Sequence, residues 1–169
     1  MFRRLVLGAV TALSVLSIST IASAQAPRYV GVGITGNIDA TSQSAEDLAG
    51  TVRVQVPINE QVSVSGNIFA GENTVSGLPA VNYSFSPVTI ADRAFQPRVG
   101  LGANILGSNS QVGVLGNRTS PVVNAGVDYQ ATQRAVVFAD AYYVPIGYED
   151  VQGDKYGSVA LVGGVGFSF

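Results

Sequence analysis

The sequence predicts an all-β chain: a cleaved leader followed by an eight-stranded, antiparallel, up-and-down β-barrel. Three observations carry this. Apolar residues alternate with polar ones at period 2 through most of the chain. Long and short connections take turns between the alternating runs. No later segment holds the run of about 18 apolar residues that a membrane helix needs, and none has convincing helical periodicity.

The first segment, "MFRRLVLGAVTALSVLSISTIASAQA", has the order of a secretory signal peptide. Arg3 and Arg4 open it, an apolar stretch runs from Leu5 to about Leu16, and small-x-small sites close it at Ala24 and Ala26. The apolar core is too short for an anchor, and Ser14, Ser17, Ser19 and Thr20 dilute its end and the residues beyond it. The Arg3-Arg4 pair raises a twin-arginine signal, but the polar surroundings of that motif are missing, which favours general secretion. The expected domains are therefore a leader over 1–26 and a barrel over 27–169.

Composition narrows the function classes. Without Arg3 and Arg4 the nine basic residues become seven, against eleven acidic ones, so the mature chain carries about −4. It lacks the clustered Lys and Arg of a nucleic-acid surface. The chain has no cysteine and no histidine, so it carries no disulfide, and the commonest general base and metal ligand are both missing. No cofactor is expected. Charged residues are 12% and apolar ones 47%, where a water-soluble domain has about 25% charged. Something other than water covers part of such a surface.

Strands are expected near 28–36, 50–58, 62–70, 80–90, 96–106, 119–129, 135–145 and 158–169. In the first, Val30, Val32 and Ile34 oppose Tyr29, Gly31, Gly33 and Thr35. "GTVRVQVPI" and "VSVSGNIFA" alternate on either side of "NEQ" and form a hairpin. Val99, Leu101, Ala103 and Ile105 oppose Arg98, Gly100, Gly102 and Asn104, and Val123, Ala125, Val127 and Tyr129 oppose Asn124, Gly126 and Asp128. In the last strand Val159, Leu161, Val165, Phe167 and Phe169 share a face. Pro87 implies a bulge or an early end in the fourth strand. In the seventh, Phe138 and Tyr142 share parity with Asp140, which leaves its apolar face open. The long connections are "NIDATSQSAEDLA", "GENTVSGLP", "GSNSQVGVLGNR" and "GYEDVQGDKYG". With short links between them, all long loops fall at one end of a closed barrel.

Alternation does not say which face is inside. The polar face holds small residues and single charges (Arg53, Arg98, Asp128), which suit a crowded interior better than a solvated surface rich in Lys and Glu. Runs of about nine to eleven residues match a tilted strand crossing a bilayer. Both favour a transmembrane barrel. The G-x-G-x-x-G at Gly31, Gly33 and Gly36 then marks room inside a narrow barrel, as do Gly100 with Gly102 and Gly164 with Gly166. A dinucleotide site would need a preceding strand, a helix opening at Gly36 and an acidic residue about twenty positions on. None of these is present.

Taken with its ending, "VGGVGFSF", the chain resembles the small eight-stranded outer-membrane barrels of the opacity-protein and OmpA-transmembrane-domain type. The resemblance implies an outer-membrane location, outer-membrane lipid as surroundings, and an assembly signal at Val165, Phe167 and Phe169 read by the outer-membrane assembly machinery. The chain departs from the family in having no Trp, so aromatic girdles would fall to Tyr29, Tyr83, Tyr129, Tyr142 and Tyr143. Barrel enzymes of that membrane rely on His with Ser or Asp, which this chain cannot supply. Asp128 and Asp140, on successive strands, are a conceivable catalytic pair. The favoured reading is a lumen network in which they pair with Arg53 and Arg98. Glu149, Asp150 and Asp154 lack the spacing of a calcium loop. Asn82-Tyr83-Ser84 and Asn117-Arg118-Thr119 match a glycosylation pattern that means little in a bacterium. The expected function is non-enzymatic: a structural or surface-interaction role through the loops, with the surface ligand unspecified. The alternatives are a narrow porin-like pore and a soluble exported barrel binding a lipophilic small molecule.

Overall fold

A computed structural model describes residues 26–38, 48–72, 74–91, 93–107, 113–149 and 152–169. Most of the expected leader, including Ala24, lies outside the described residues. Nine strands are present in chain order: β1 (Tyr29–Asn37), β2 (Leu48–Pro57), β3 (Val62–Ala70), β4 (Val75–Ser84), β5 (Val88–Ile90), β6 (Arg93–Leu106), β7 (Ser120–Gln130), β8 (Ala135–Glu149) and β9 (Lys155–Ser168). They pair in the order β4-β3-β2-β1-β9-β8-β7-β6-β5, and β4 also pairs with β6. That last pairing closes eight long antiparallel strands into a barrel, leaving β5 as a three-residue arm on the start of β6.

Side-chain direction obeys the period-2 pattern. In β2 the buried positions are Ala49, Thr51, Arg53 and Gln55, and Val52 and Val54 face outward. The large aliphatic side chains of most strands point away from the barrel, and nearly all the buried charges and amides point into it, among a smaller set of inward apolar residues such as Leu78, Val122, Val136 and Val162. The turns are closed by local side-chain acceptors. Asn59 Oδ1 accepts from the backbone N–H of Gln61 (2.9 Å) and Val62 (2.7 Å). Thr132 Oγ1 does the same for Arg134 (3.1 Å) and Ala135 (2.9 Å).

Several expectations need correction. The fourth strand runs from Val75 to Ser84 and not over 80–90. Its early half was hidden because Gly77 and Pro79 occupy outward positions while Leu78 points in. Pro79 has no N–H to give, and the β4–β6 register skips positions 78 and 79. Pro87 marks an early strand end, with β5 starting just beyond it. The link after β3 is consequently only residues 71–74, not a long loop. The last long loop also shrinks, because Tyr148 pairs with Tyr156 and Glu149 with Lys155, beyond a bulge between Val144 and Tyr148 that contains Pro145. In β8 the open question resolves with Val136, Phe138, Asp140, Tyr142 and Val144 inside.

First and last strands meet at β1–β9, where Gly31 lies opposite Gly166 and Gly33 opposite Gly164. Gly31, Gly164 and Gly166 leave room for two rings, while Gly33 lies against the backbone of Gly163 and Gly164. A β-carbon on Gly31 would come within 2.7 Å of Phe138 Cε1, and one on Gly166 within 2.5 Å of Tyr29 Cδ2. Gly66, facing outward on β3, has nothing within 4 Å of such an atom. Gly164→Ala drives a methyl into the Phe138 ring and the Val32 carbonyl, so a loss of about 1–3 kcal/mol is expected. Gly66→Ala is expected to change stability by about 0.5 kcal/mol or less. Urea unfolding in detergent micelles compares the two, and equal losses would contradict the packing described here.

Candidate functional site: the lumen and its mouth

The centre of the lumen holds two cations and two anions from four strands. Arg53 comes from β2, Arg98 from β6, Asp128 from β7 and Asp140 from β8, all nearly inaccessible. Arg98 grips Asp128 with two bonds, Nε to Oδ2 at 3.0 Å and Nη2 to Oδ1 at 3.1 Å. It also reaches Asp140, Nη1 to Oδ1 at 2.6 Å and Nη2 to Oδ2 at 2.9 Å. Arg53 Nη1 donates to Asp140 Oδ2 at 2.5 Å and Nη2 to Gln55 Oε1 at 2.8 Å. Tyr29 (3.1 Å) and Gln55 (3.2 Å) complete the shell of Asp128. The cluster is neutral. A lone ion of either sign here would carry a desolvation cost of several kcal/mol. Gly126 gives the Asp140 carboxylate its space, since a β-carbon there would overlap it.

The Arg53 guanidinium also lies against two rings, 5.8 Å from the Tyr29 centroid and 5.3 Å from that of Phe138. Those rings stack on each other at 5.6 Å. Tyr29 and Tyr142 are therefore lumen residues and not girdle residues, which corrects that expectation. Tyr142 meets Phe69 edge to face at 6.0 Å. Tyr83 and Tyr143 do face outward, while Tyr129 on the outer side is covered by Phe95 and Arg93.

Beside the charges, the lumen faces of β3, β4, β6 and β7 carry serine and asparagine among Phe69, Leu78 and Val122. Asn82 Nδ2 donates to Ser65 Oγ at 3.0 Å, and Asn124 Nδ2 to Asn82 Oδ1 at 3.1 Å. Gly100 makes room for both amides. Asn67 donates to the Leu78 carbonyl at 3.5 Å and Asn104 to that of Arg118 at 3.2 Å.

The mouth at the loop end is plugged, which the sequence reading missed. Residues between β6 and β7 were expected to form an outer loop, yet Val114 and Leu115 are buried in the same apolar cluster as the lumen residues. Asn37 Nδ2 donates to the Val114 carbonyl (3.1 Å) and to Tyr148 Oη (3.0 Å), Tyr148 Oη donates to the Gly113 carbonyl (3.2 Å), and Ser158 Oγ donates to the Leu115 carbonyl (3.0 Å). Gly113 and Gly116 exchange backbone bonds of 2.8 and 3.0 Å. Gly116, at φ 141°, lies so close to the Gly147 backbone that no side chain fits. Asn117 bonds the backbone N–H and carbonyl of Glu149 at 2.9 and 2.8 Å, and Arg118 pairs with the Glu149 carboxylate. The available signal was the adjacent apolar pair Val114 and Leu115 between two glycines.

At the turn end the chain before β1 also crosses the opening. Gln55 Nε2 donates to the Pro27 carbonyl at 3.3 Å and Ala26 N–H to the Glu60 carbonyl at 3.3 Å. Val165, Phe167 and Phe169 all point outward near this end, with more than half of each exposed.

Chemically, the carboxylates of Asp128 and Asp140 are saturated by arginine and shut away from any substrate. Among the described residues no group of three or more His, Cys, Asp or Glu could hold a metal ion. The arrangement is suited to bracing the barrel. Asp140→Ala, which strips Arg53 of its ion-pair partner, is expected to cost about 3–5 kcal/mol in urea unfolding. Arg118→Ala at the half-exposed pair is expected to cost about 1 kcal/mol or less. Tyr148→Phe is expected to speed amide exchange over residues 113–117 while leaving the ladder amides of β1 and β2 protected. Unchanged exchange would mean that the hydroxyl does not hold the plug.

No family model and no curated protein matches the chain. Among solved structures, Ail, the attachment invasion locus protein of Yersinia pestis, is similar over 86% of this chain and 99% of its own, at 13% identity and a TM-score of 0.45. The strand ladder itself shows the fold: a closed eight-stranded antiparallel barrel.

Proposed function

We propose that the chain is an exported outer-membrane barrel with a structural or surface-interaction role exerted through its loop end, without enzymatic activity. The inverted polarity of the barrel carries this reading. All eight long strands present large apolar side chains outward, from Val32 on β1 at 59% exposure to Leu101 on β6 at 68%. Water-soluble monomers rarely leave a continuous apolar belt uncovered. A nine-residue strand such as β1 is about 30 Å long, and at a tilt of about 40° it spans about 23 Å, close to the apolar band of outer-membrane barrels. Short turns and the strand end at Phe169 would face the periplasm, where Val165, Phe167 and Phe169 are available to the assembly machinery. The loops would face outward.

The two alternatives lose support. A carrier of lipophilic molecules needs an apolar interior, and this interior holds four charges. A pore needs an open path, and the path is crossed by the Arg53–Arg98 layer and by the Val114–Leu115 plug.

Fractionated cells expressing the full chain are expected to yield an outer-membrane band whose gel mobility shifts on boiling. A soluble periplasmic band without a shift would contradict the proposal. Planar bilayers containing the inserted protein are expected to show no discrete openings, and regular openings would restore the pore. Because Ala26 is packed against Glu60, cleavage after Ala24 is favoured over cleavage after Ala26. Amino-terminal sequencing is then expected to start at Gln25, and a start at Pro27 would reverse that choice.

A further inference from the structure

The lumen holds more hydrogen-bonding atoms than its side chains pair among themselves. Seven buried side-chain atoms lack a partner among the described residues. Four of them belong to one layer beside the ion pairs: Arg53 Nε, Asn67 Oδ1, Asn124 Oδ1 and Tyr142 Oη, on side chains of residues that are 2% exposed or less. The other three, on Ser63, Ser84 and Asn104, lie toward the two ends of the barrel. Native interiors bond nearly all such atoms, to protein or to ordered water.

The ladder brings the four together. Arg53 and Asn67 are partners across β2 and β3, and Asn124 and Tyr142 across β7 and β8. The two pairs meet over the lumen through their longest side chains. Arg53 reaches the β8 wall at Asp140, the inward residue next to Tyr142 on the turn-end side. Tyr142 reaches the β3 wall, where its ring meets Phe69 edge to face at 6.0 Å, and Phe69 is the inward residue next to Asn67.

Their chemistry is complementary, yet none of the four atoms bonds another. Arg53 Nε only donates, the two amide oxygens only accept, and the Tyr142 hydroxyl does either. A molecule able to donate twice and accept twice joins such a set, which is the capacity of water. An ion fits poorly. A cation would lie beside the Arg53 guanidinium, and an anion beside two amide oxygens and the Asp140 carboxylate, which already accepts from both arginines.

We infer that this layer binds an ordered internal water that donates to Asn67 and Asn124 and accepts from Arg53 Nε–H and the Tyr142 hydroxyl. Asn124 Nδ2 already donates to Asn82, and Asn82 Nδ2 to Ser65. The water therefore joins two halves that the side chains leave separate: the charge cluster of β2, β6, β7 and β8, and the amide chain of β3, β4 and β7. Fully satisfied, such a network rigidifies the interior that contains it. The site lies inside the barrel and does not rest on what surrounds the outer belt.

The test uses the mature chain, folded in detergent micelles and labelled with nitrogen-15. Cross-relaxation between water and Arg53 Nε–H is measured in the wild-type chain and in Tyr142→Phe, which removes a hydroxyl that has no protein partner. A long-lived water is expected to give a cross-peak at Arg53 Nε–H in both chains. Tyr142→Phe is also expected to lower the urea midpoint, because the water loses a partner. No cross-peak in the wild-type chain would overturn the inference. So would a cross-peak that vanishes in Tyr142→Phe, which would mark proton relay through the tyrosine hydroxyl. An unchanged or higher urea midpoint for Tyr142→Phe would overturn it too, since removing a dry, unpartnered hydroxyl relieves a desolvation cost.

Discussion

The interior of an eight-stranded barrel admits one layer of side chains and little more, and this chain places two arginines in it. Everything around them answers to that constraint. Arg53 and Arg98 need opposite charges at contact distance, and Asp128 and Asp140 supply them from the adjoining strands β7 and β8. Arg53 has a broad apolar face as well as a charge, and Tyr29 and Phe138 cover it. Those rings take more width than a regular strand pair leaves. The seam between β1 and β9 therefore gives up its side chains at Gly31, Gly164 and Gly166, and Gly33 lets the two backbones of the seam approach each other. In the spacing that imitates a nucleotide fingerprint, Gly31 answers to the Phe138 ring and Gly33 to the β9 backbone.

The same packing decides what the lumen can do. Buried ion pairs of this kind often add little net stability compared with a well-packed apolar core, but losing one partner is costly. The cluster thus acts as a brace that fixes four strands in register and leaves no open reactive group. Above it, Val114 and Leu115 close the mouth, held by Asn37, Tyr148 and Ser158 from three different strands. At the loop end Asn117, Arg118 and Glu149 tie the plug to the β8–β9 hairpin.

How much of this could be read from the sequence depends on how clean the alternation is. In β1 and β2 one parity is mainly aliphatic and the other small or polar, and β3 and β9 depart from this only at Phe69, Val162 and a few glycines, so faces and approximate bounds were legible. The single charges Arg53, Arg98 and Asp128 were legible as lumen residues for the same reason, since they share parity with threonine, glutamine, glycine and asparagine, whereas Asp140 was read into the lumen only as a partner for the two arginines. In β4 the pattern is scrambled by Gly77 and Pro79 facing out and Leu78 facing in, and the strand was misplaced. In β8 a lumen packed with Phe138 and Tyr142 is as apolar as the outside, so parity carried no information there. Tyrosine type alone did not separate Tyr29 and Tyr142, which fill the lumen, from Tyr83 and Tyr143, which face outward. The plug depends on contacts between the β6–β7 connection and residues far away in the chain, which no local pattern encodes. Its one trace was the adjacent Val114 and Leu115.

In the proposed outer-membrane barrel the apolar side chains face lipid and the charges face inward. The chain has no tryptophan, so Leu101→Trp puts a single reporter at a mid-strand position that is 68% exposed. The most direct measurement is its fluorescence with the protein added to vesicles whose acyl chains carry bromine. A lipid-facing belt predicts blue-shifted emission that the brominated chains quench strongly. A folded protein that stays in plain buffer, with emission untouched by the brominated vesicles, would contradict it.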